Sequence, residues 1–254
     1  MAHYNPPPFN EDQHHGSLTG VLGKYEEYIG EFVYGGIDGA ITTFAVVAGA
    51  AGAGLSTTTI LILGFANLIA DGFSMAVGAF LGKKTEKESY DRNLQNEYWE
   101  IDNLAEIERE EIRDIYRKKG FEGDDLERAV HIICDDKDRW ADEMMKHELH
   151  LMPVSKSPWS IGVVTFFAFN TVGFVPLLVY VLHTFWPLSN EKLFFWSSLA
   201  TTVAFVLIGA LKSRVNNTPL LRSILETVAL GSIAAILAYA AGFQLEQWLG
   251  DGSL

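Results

Sequence analysis

The sequence has a single cysteine, Cys134, among its 254 residues. One thiol cannot form an internal disulfide, and it cannot supply the clustered thiolates of a zinc or iron–sulfur site. Positive charge is also scarce, because 19 Lys and Arg stand against 32 Asp and Glu and leave a net charge of −13. So acidic a chain argues against nucleic acid as a partner and suits the binding of cations.

Charge is nearly missing from two long stretches of the chain. Residues 35–82 contain two charged residues, and residues 157–211 also contain two. Between them, residues 83–158 hold 35 of the 51 charged residues. A large soluble protein is the alternative. Each helix of a soluble domain, however, carries polar and charged residues on the face that contacts water, and the two stretches contain almost no charged residues. The segregation therefore indicates a membrane protein with one soluble insert.

Five segments are apolar over the roughly 20 residues that a membrane-spanning helix needs. They are approximately 33–54, 57–81, 160–185, 193–211 and 220–245. The predicted fold class is therefore an all-α membrane protein with five transmembrane helices and a helical insert after the second. The chain then divides into an N-terminal segment 1–32, spans one and two in 33–82, the insert 83–158, spans three to five in 159–248, and a tail 249–254.

Lysine and arginine are placed unevenly around these segments, and cytoplasmic loops normally carry the excess. Six of them lie beside the insert or between spans four and five: Lys83, Lys84, Lys87, Lys212, Arg214 and Arg222. The opposite links offer only Lys192. We therefore expect a cytoplasmic N-terminus and insert, and a C-terminus outside the cell or in a lumen. The polar N-terminal segment shows no secretory signal peptide, and the sequence leaves open whether the membrane is a plasma membrane or a vacuole.

Two aspartates interrupt the first two apolar segments. An ionised aspartate in the bilayer core costs about 2.5–3.5 kcal/mol even on the mildest scale, so it normally faces a partner or a water-filled path. Asp38 lies about one turn into span one, where it could instead be an interfacial or capping residue. Asp71 lies deeper, and Asn67, Asp71 and Met75 follow each other at i, i+4 and i+8 on one helix face. This row of oxygen and sulfur ligands favours a cation path, although methionine in a span also serves ordinary packing.

Small residues recur every fourth position in span one. Gly35 and Gly39 form one such pair, and Gly49 and Ala53 form another. Pairs of this kind let two helix backbones approach closely in lipid. They predict tight packing of span one against span two, or against its copy in a dimer.

Four glutamates of the insert have a helical spacing. They are Glu97, Glu100, Glu108 and Glu111, at relative positions 0, 3, 11 and 14. At about 100° per residue, these positions fall within less than a quarter of the helix circumference. Leu104 on the same face suggests that this face turns inward, whereas Glu106 and Glu110 point elsewhere. Further on, one helical turn holds Met144, Met145 and Glu148.

Carboxylates in register repel one another unless they are protonated or bridged by a cation. Together with thioethers they suit a borderline divalent metal, since calcium and magnesium prefer cages of oxygen alone. A solvated acidic face on a charged helix is the alternative. A soluble di-iron oxidase would need Glu-x-x-His pairs, which the insert lacks, and His147 and His150 do not form a zinc-type HExxH motif.

Several stretches closely resemble the vacuolar iron transporter family. The resemblance is carried by "DGAITTFAVVAGAAGAGLS", "ANLIADGFSMAVGAF", "GALKSR" and "LETVALGSIAAILAYAAG", in this order along approximately residues 30–248. It implies a homodimer of five-helix protomers whose cytoplasmic insert binds metal, and whose activity is export of ferrous iron from the cytoplasm in exchange for protons.

The resemblance also implies two groups of ligands. The membrane site would fall on Asp38 and Met75, with Asn67 at a position that is acidic in some members. The insert site would fall on the residues that the spacing selects: Glu97, Glu100, Glu108, Glu111, Met144, Met145 and Glu148. Ala79 also replaces an acidic residue of some members, so the membrane site of this chain is expected to be less acidic.

With what the resemblance implies, we expect a non-enzymatic, homodimeric transporter of Fe²⁺, with Mn²⁺ as a second substrate and protons as the exchanged ion. We expect no resident cofactor, because the metal (Fe²⁺, Mn²⁺ or Zn²⁺) is bound or transported. A membrane-anchored metal sensor or buffer without transport is the alternative. Asp71 disfavours it, since a simple anchor has no use for a carboxylate in lipid.

Overall fold

The computed structural model describes residues 21–186 and 188–250, and it builds this part of the chain from helices without any strand. In chain order the helices are α1 (Val21–Gly52), α2 (Thr57–Asn103), α3 (Ala105–Lys118), α4 (Gly123–Cys134), α5 (Lys137–His147), α6 (Pro158–Gly173), α7 (Val175–Leu182), α8 (Asn190–Val215) and α9 (Leu220–Gly250). The all-α class is confirmed for the described residues. Most of the predicted segment 1–32 and of the tail 249–254 lies outside them.

Four helices of the described chain are long and apolar enough to cross a membrane. They are α1 from Tyr28 onwards, α2, α8, and α9 as far as Leu249. A fifth crossing is available if α6 and α7 form one span, because this pair passes the same test together but bends by 46° at its break. The fold is therefore that of a helical membrane protein with four or five candidate spans.

The predicted span 160–185 is a broken helix. Pro176 sits in the first turn of α7, directly after the break. Proline has no backbone N–H, and its ring clashes with the carbonyl one turn earlier, so a straight helix cannot pass through it. The carbonyl of Pro176 accepts a hydrogen bond of 2.6 Å from the buried hydroxyl of Ser197 on α8. A neighbouring helix thus bonds to the backbone next to the kink, as is usual where a proline interrupts a helix in lipid.

The described chain divides into two compact units. Leu81–Pro158 forms the insert unit, and the apolar helices before and after it form the membrane unit. Helix α2 contributes to both, because the boundary falls within it. The membrane unit has two clusters of buried apolar side chains, one that includes Phe44 and Phe205 and one that includes Leu68 and Phe169.

Gly39 and Gly49 of α1 face α6 and α9 rather than α2. A Cβ atom on Gly39 would lie 2.3 Å from the backbone oxygen of Phe169 on α6. Near the other end of the helix, a Cβ on Gly49 would lie 3.3 Å from the carbonyl oxygen of Ala238 on α9. The prediction of close packing at these glycines is confirmed. Of the two predicted partners, span two is wrong for both glycines, and a second copy in a dimer stays a prediction. Spacing within one helix cannot tell which neighbour it meets.

Replacing Gly39 with alanine is expected to destabilise the membrane unit by about 1–3 kcal/mol, the usual cost of overpacking. The reason is that backbone, rather than a flexible side chain, blocks the added methyl. The melting temperature of the protein in detergent measures the effect. Gly78→Ala on α2 is the matched control, since a Cβ there meets nothing within 4 Å. Gly78→Ala should leave stability unchanged or raise it slightly, because alanine favours a helix more than glycine does; an equal loss in both variants would show that close contact at Gly39 does not set the effect.

The insert unit has an apolar core of its own. Its buried members come from the second half of α2 and from α3, α4 and α5: Ile101, Ile112, Leu126, Val130, Trp140, Ala141 and Met144. Asp136 caps the N-terminus of α5, since its carboxylate accepts a hydrogen bond of 2.8 Å from the backbone N–H of Arg139. Such a cap satisfies one of the N–H groups that a helix start leaves without a partner. This core holds α2, α3 and α5 in contact, and these helices carry the predicted ligands of the insert.

Candidate metal centre

The four spaced glutamates belong to two helices, not to one helix face. Helix α2 ends at Asn103 and α3 begins at Ala105, so Glu97 and Glu100 lie before the break and Glu108 after it. In one unbroken helix, Glu97 and Glu108 would be separated by about 16 Å along the axis. The single stripe inferred from the sequence is therefore wrong in its geometry. The break instead allows carboxylates from two helices to meet.

Leu104 occupies the break itself. Its backbone has φ −128° and ψ 26°, outside the helical range, and its side chain is 40% exposed. The interpretation that Leu104 marks an inward face is therefore wrong. Inward orientation is seen in the glutamates instead, because Glu97 is 3% exposed and Glu108 is 4% exposed.

Glu97, Glu100 and Glu108 form a compact group of oxygens. One carboxylate oxygen from each lies within 4.8 Å of the others. The Oε2 atoms of Glu97 and Glu108 are buried and have no hydrogen-bond partner. A buried carboxylate oxygen without a partner is costly, since burial removes it from water and nothing replaces the lost bonds. A divalent cation at the centre of the three carboxylates would remove this cost and their mutual repulsion together.

Burial and neighbouring charges raise the pKa of these groups. The pKa of Glu97 rises to about 7, first through burial and then through the negative charges of Glu148, Glu100 and Glu111. The pKa of Glu108 reaches about 7 as well, through burial and the same surrounding carboxylates. A metal ion bound here would therefore compete with protons near neutral pH.

Glu111 and Glu148 border the group. Burial raises the pKa of both, and the charge of Glu100 raises them further. Glu148 follows directly after α5, where its backbone N–H donates to the carbonyl of Met144 at 2.9 Å. The charges of Glu100, Glu111 and Glu148 thus all act on the buried Glu97 and Glu108, as those of ligands in one site would.

The two predicted sulfur ligands have different surroundings. Both methionines are fully buried, but Met144 is part of the apolar core, against residues such as Trp140 and Ile112. Met145 is not a member of that cluster. Packing in the apolar core is enough to explain the position of Met144. Met145 is therefore the better candidate for a thioether ligand.

The neighbouring acidic residues that the spacing set aside are exposed or paired. Glu106 is an exposed residue in the first turn of α3, and Glu110 pairs with Arg113 on the surface. A solvated acidic face, the alternative interpretation, describes these two residues well. It does not describe Glu97 and Glu108, because both are buried.

The predicted residues of the membrane unit differ in exposure. Asp38 is half-buried on α1, and its charge interacts with that of Asp71 on α2. Asp71 is exposed on the surface of the single chain, whereas Asn67 and Met75 are half-buried. Met75 contacts the apolar cluster around Leu68. The Nδ2 atom of Asn67 is buried without a hydrogen-bond partner, so an amide donor is left unused beside the proposed path.

Thr43 is a polar residue that the sequence pattern did not select. Its side chain is fully buried in the membrane unit, and its hydroxyl has no hydrogen-bond partner. Thr42, Thr165 and Thr201 instead donate to a carbonyl one turn earlier in their own helices. No signal in the sequence distinguishes Thr43 from these residues, because threonine is common in spans and usually satisfies itself in this way.

Met75→Leu is expected to reduce metal flux without reducing thermal stability. The change keeps the volume and removes the sulfur, so the packing cost should stay below about 1.5 kcal/mol. Flux into proteoliposomes and melting in detergent are the two measurements. Met152→Leu, at a residue that is 67% exposed, is the control. If Met75→Leu lowers flux and thermal stability to the same extent, Met75 serves packing and is not a metal ligand.

These observations define a class of protein: an integral membrane protein of helices, with a helical insert that gathers carboxylates able to hold a divalent cation. Comparison with known families agrees with this class. The model of the VIT family matches residues 29–243. The chain belongs to the VIT family.

Curated relatives match over most of the chain. A protein of Toxoplasma gondii named vacuolar iron transporter is 31% identical over 230 residues, which cover 88% of this chain and 76% of the relative. Vacuolar iron transporter 1 of Tulipa gesneriana is 31% identical over 88% of this chain and 92% of its own length. Vacuolar iron transporter 1 of Arabidopsis thaliana is 30% identical over 84% of each chain.

Proposed function

We propose that this protein transports divalent metal across a membrane, with Fe²⁺ as the principal substrate, and that it exports the metal from the cytoplasm in exchange for protons. The names of its relatives support iron as the substrate. The observation that carries the proposal is the group of Glu97, Glu100 and Glu108, in which two buried carboxylate oxygens lack a partner. Carboxylates joined by a thioether, which we assign to the buried Met145, suit a borderline metal such as Fe²⁺ or Mn²⁺.

The titration of the same groups supports the proposed exchange with protons. A pKa of about 7 for Glu97 and Glu108 means that a modest change in pH changes the number of negative charges available to the metal. In the membrane unit, Asp38 and Met75 would pass the ion, with Asn67 and Asp71 beside them. A carboxylate in a span can carry either a proton or a metal ion, which is the physical basis for exchange.

The proposed arrangement has five spans, with α6 and α7 counted as one, and places the insert and N-terminus in the cytoplasm. The supporting observation is the basic residues near the insert and in the link between α8 and α9. A homodimer is part of the proposal, because Asp71 lies exposed on the surface of a single chain and a carboxylate facing lipid is costly. The metal is cargo in this scheme, so no resident cofactor is needed.

The test is uptake of Fe²⁺, Mn²⁺ and Zn²⁺ by proteoliposomes that contain the purified protein, with and without a pH gradient. Metal uptake that increases with the gradient is the expected result, and protein-free liposomes are the control. Metal binding by the protein without any flux would contradict the proposal. That result would support the alternative function, a membrane-anchored metal sensor or buffer.

A further inference from the structure

A cavity of about 270 Å³ lies within the membrane unit. It is bounded by the end of α1, the loop after it, and parts of α2, α7, α8 and α9. Its lining includes Thr57, Tyr180, Asn190, Glu191, Phe194 and Tyr239. Pockets for drug-sized ligands usually measure about 300–1,000 Å³, so this cavity suits a smaller group.

Three aromatic rings form part of its wall. Tyr180 is 2% exposed, and Phe194 and Tyr239 lie with their ring centroids 5.7 Å apart. Phe194 also stacks with Phe44, at a centroid distance of 6.3 Å with nearly parallel planes. The π faces of such rings attract cations, most effectively those that shed their hydration easily.

Glu191 is the only charged residue that lines the cavity in the described chain. It has no ion-pair partner among the described residues, and Lys192, the next residue, does not line the cavity. The dipoles of the helix ends around the cavity nearly cancel, because α1 ends there while α2 and α8 begin there, and Tyr180 lies close to the end of α7. The charge of the cavity is therefore set by one carboxylate, and a cation is the complementary ligand.

The lining selects the kind of cation. A divalent metal ion needs several oxygen ligands to replace its firmly held water. The lining supplies one carboxylate, with the neutral oxygens of Thr57 and Asn190, among largely apolar and aromatic residues. An alkylated ammonium ion carries its charge on a weakly hydrated, apolar surface, and aromatic rings with a nearby carboxylate bind it well. The cavity also lies close in sequence to Phe185 and Trp186, which are 72% and 70% exposed. Exposed aromatic rings at the end of a span mark the level of lipid headgroups.

We propose that this cavity binds an alkylated ammonium group, supplied either by the choline headgroup of a phospholipid or by a free small alkylammonium ion. Glu191 supplies the opposite charge, and Tyr180, Phe194 and Tyr239 supply the aromatic surface. The proposal does not depend on metal transport, so its failure would leave the proposed function untouched.

The first arm of the test measures radiolabelled choline binding to the full-length protein, purified in a maltoside detergent that has no ammonium headgroup. Binding of one choline per chain is expected. Glu191→Gln and Tyr239→Leu should each weaken it by about tenfold, whereas Tyr239→Phe, which keeps the ring, should leave it unchanged. Glu246→Gln, an exposed carboxylate of α9 outside the cavity, is the charge-matched control.

The second arm measures lipid retention by native mass spectrometry, with phosphatidylcholine and phosphatidylglycerol of equal chain length. Preferential retention of phosphatidylcholine that is lost in Glu191→Gln assigns the site to a lipid headgroup. Choline binding without that preference assigns it to a free ion. The proposal is overturned if wild-type protein shows neither, if Glu246→Gln weakens binding as much as Glu191→Gln, or if Mn²⁺ displaces choline from the wild-type cavity.

Discussion

Replacing Glu97 and Glu108 together with glutamine is expected to lower the affinity of the full-length protein for Mn²⁺ or Fe²⁺ by about 100-fold or more. Mutating a residue that only hydrogen-bonds to a metal ligand typically lowers metal affinity about 10–100-fold. Glu97 and Glu108 are proposed as ligands themselves, so the loss should be larger. The substitution keeps the shape and removes the charge of the two most buried glutamates of the cluster. Equilibrium dialysis at slightly alkaline pH, where both wild-type carboxylates are largely ionised, measures the affinity.

The same variant should change how stability depends on pH. The pKa of Glu97 and Glu108 is raised from 4.5 to about 7 in the folded state, so folding favours their protonated forms. Their contribution to the free energy of unfolding is therefore fully present below pH 4.5 and is lost as the pH rises through 7. The metal-free wild type should therefore melt at a lower temperature above this pKa than below it. Added metal should restore stability on the alkaline side, since it binds the folded state. The glutamine variant should show little of either effect.

Glu106 and Glu122 provide the control for this prediction, since both are exposed glutamates of the insert unit. Their double replacement with glutamine makes the same change in net charge. If this control lowers metal affinity as much as the change at Glu97 and Glu108, the insert is only a diffuse acidic surface. If both variants keep wild-type affinity, the cluster is not the metal site.

Asp38→Asn is expected to reduce metal flux to the level of protein-free liposomes. The change keeps the size of the side chain and removes the only charged group of the apolar part of α1 between residues 35 and 52. The amide cannot exchange a proton for a metal ion, so both the ligand and the exchange step are lost. Flux in proteoliposomes is the measurement, and size-exclusion chromatography in detergent checks that the protein still folds and assembles.

Metal binding by the insert gives this experiment a second readout. Asp38→Asn should leave the affinity measured by dialysis near the wild-type value, because Glu97, Glu100 and Glu108 are unchanged. Glu246→Gln on α9 controls for the loss of one charge from the membrane unit. If Asp38→Asn transports metal at the wild-type rate, Asp38 is not part of the transport path. Loss of insert binding together with flux would indicate general misfolding instead.

The fold class was available from the sequence alone because lipid imposes a strong constraint on composition. A segment without water must bond its own backbone and avoid charge. Residues 35–82 contain only two charged residues, both aspartates, and this composition predicts membrane spans. The same logic singled out Asp38 and Asp71, since a carboxylate is conspicuous against an apolar background. The acidic insert was evident for the opposite reason, as a block of charge between two uncharged ones.

The arrangement of the insert cluster was decided by tertiary structure. Helical spacing chose Glu97, Glu100, Glu108 and Glu111, yet the chain departs from the helix at Leu104, and the carboxylates meet across two helices. No strong breaker such as glycine or proline marks this position. The break is coupled to the core of the insert, in which residues of α2 and α3 are buried together with α4 and α5.

Two further features needed the packed molecule. Gly39 and Gly49 predict that another helix approaches α1 closely, but only the packed structure shows that these helices are α6 and α9. A small residue permits close contact without indicating which helix makes it. The cavity beside Glu191 is invisible in the sequence, since its lining comes from five helices and the loop after α1. Composition and period thus determined which segments cross the membrane and which residues can bind a cation. Contacts between distant segments decided where those residues meet.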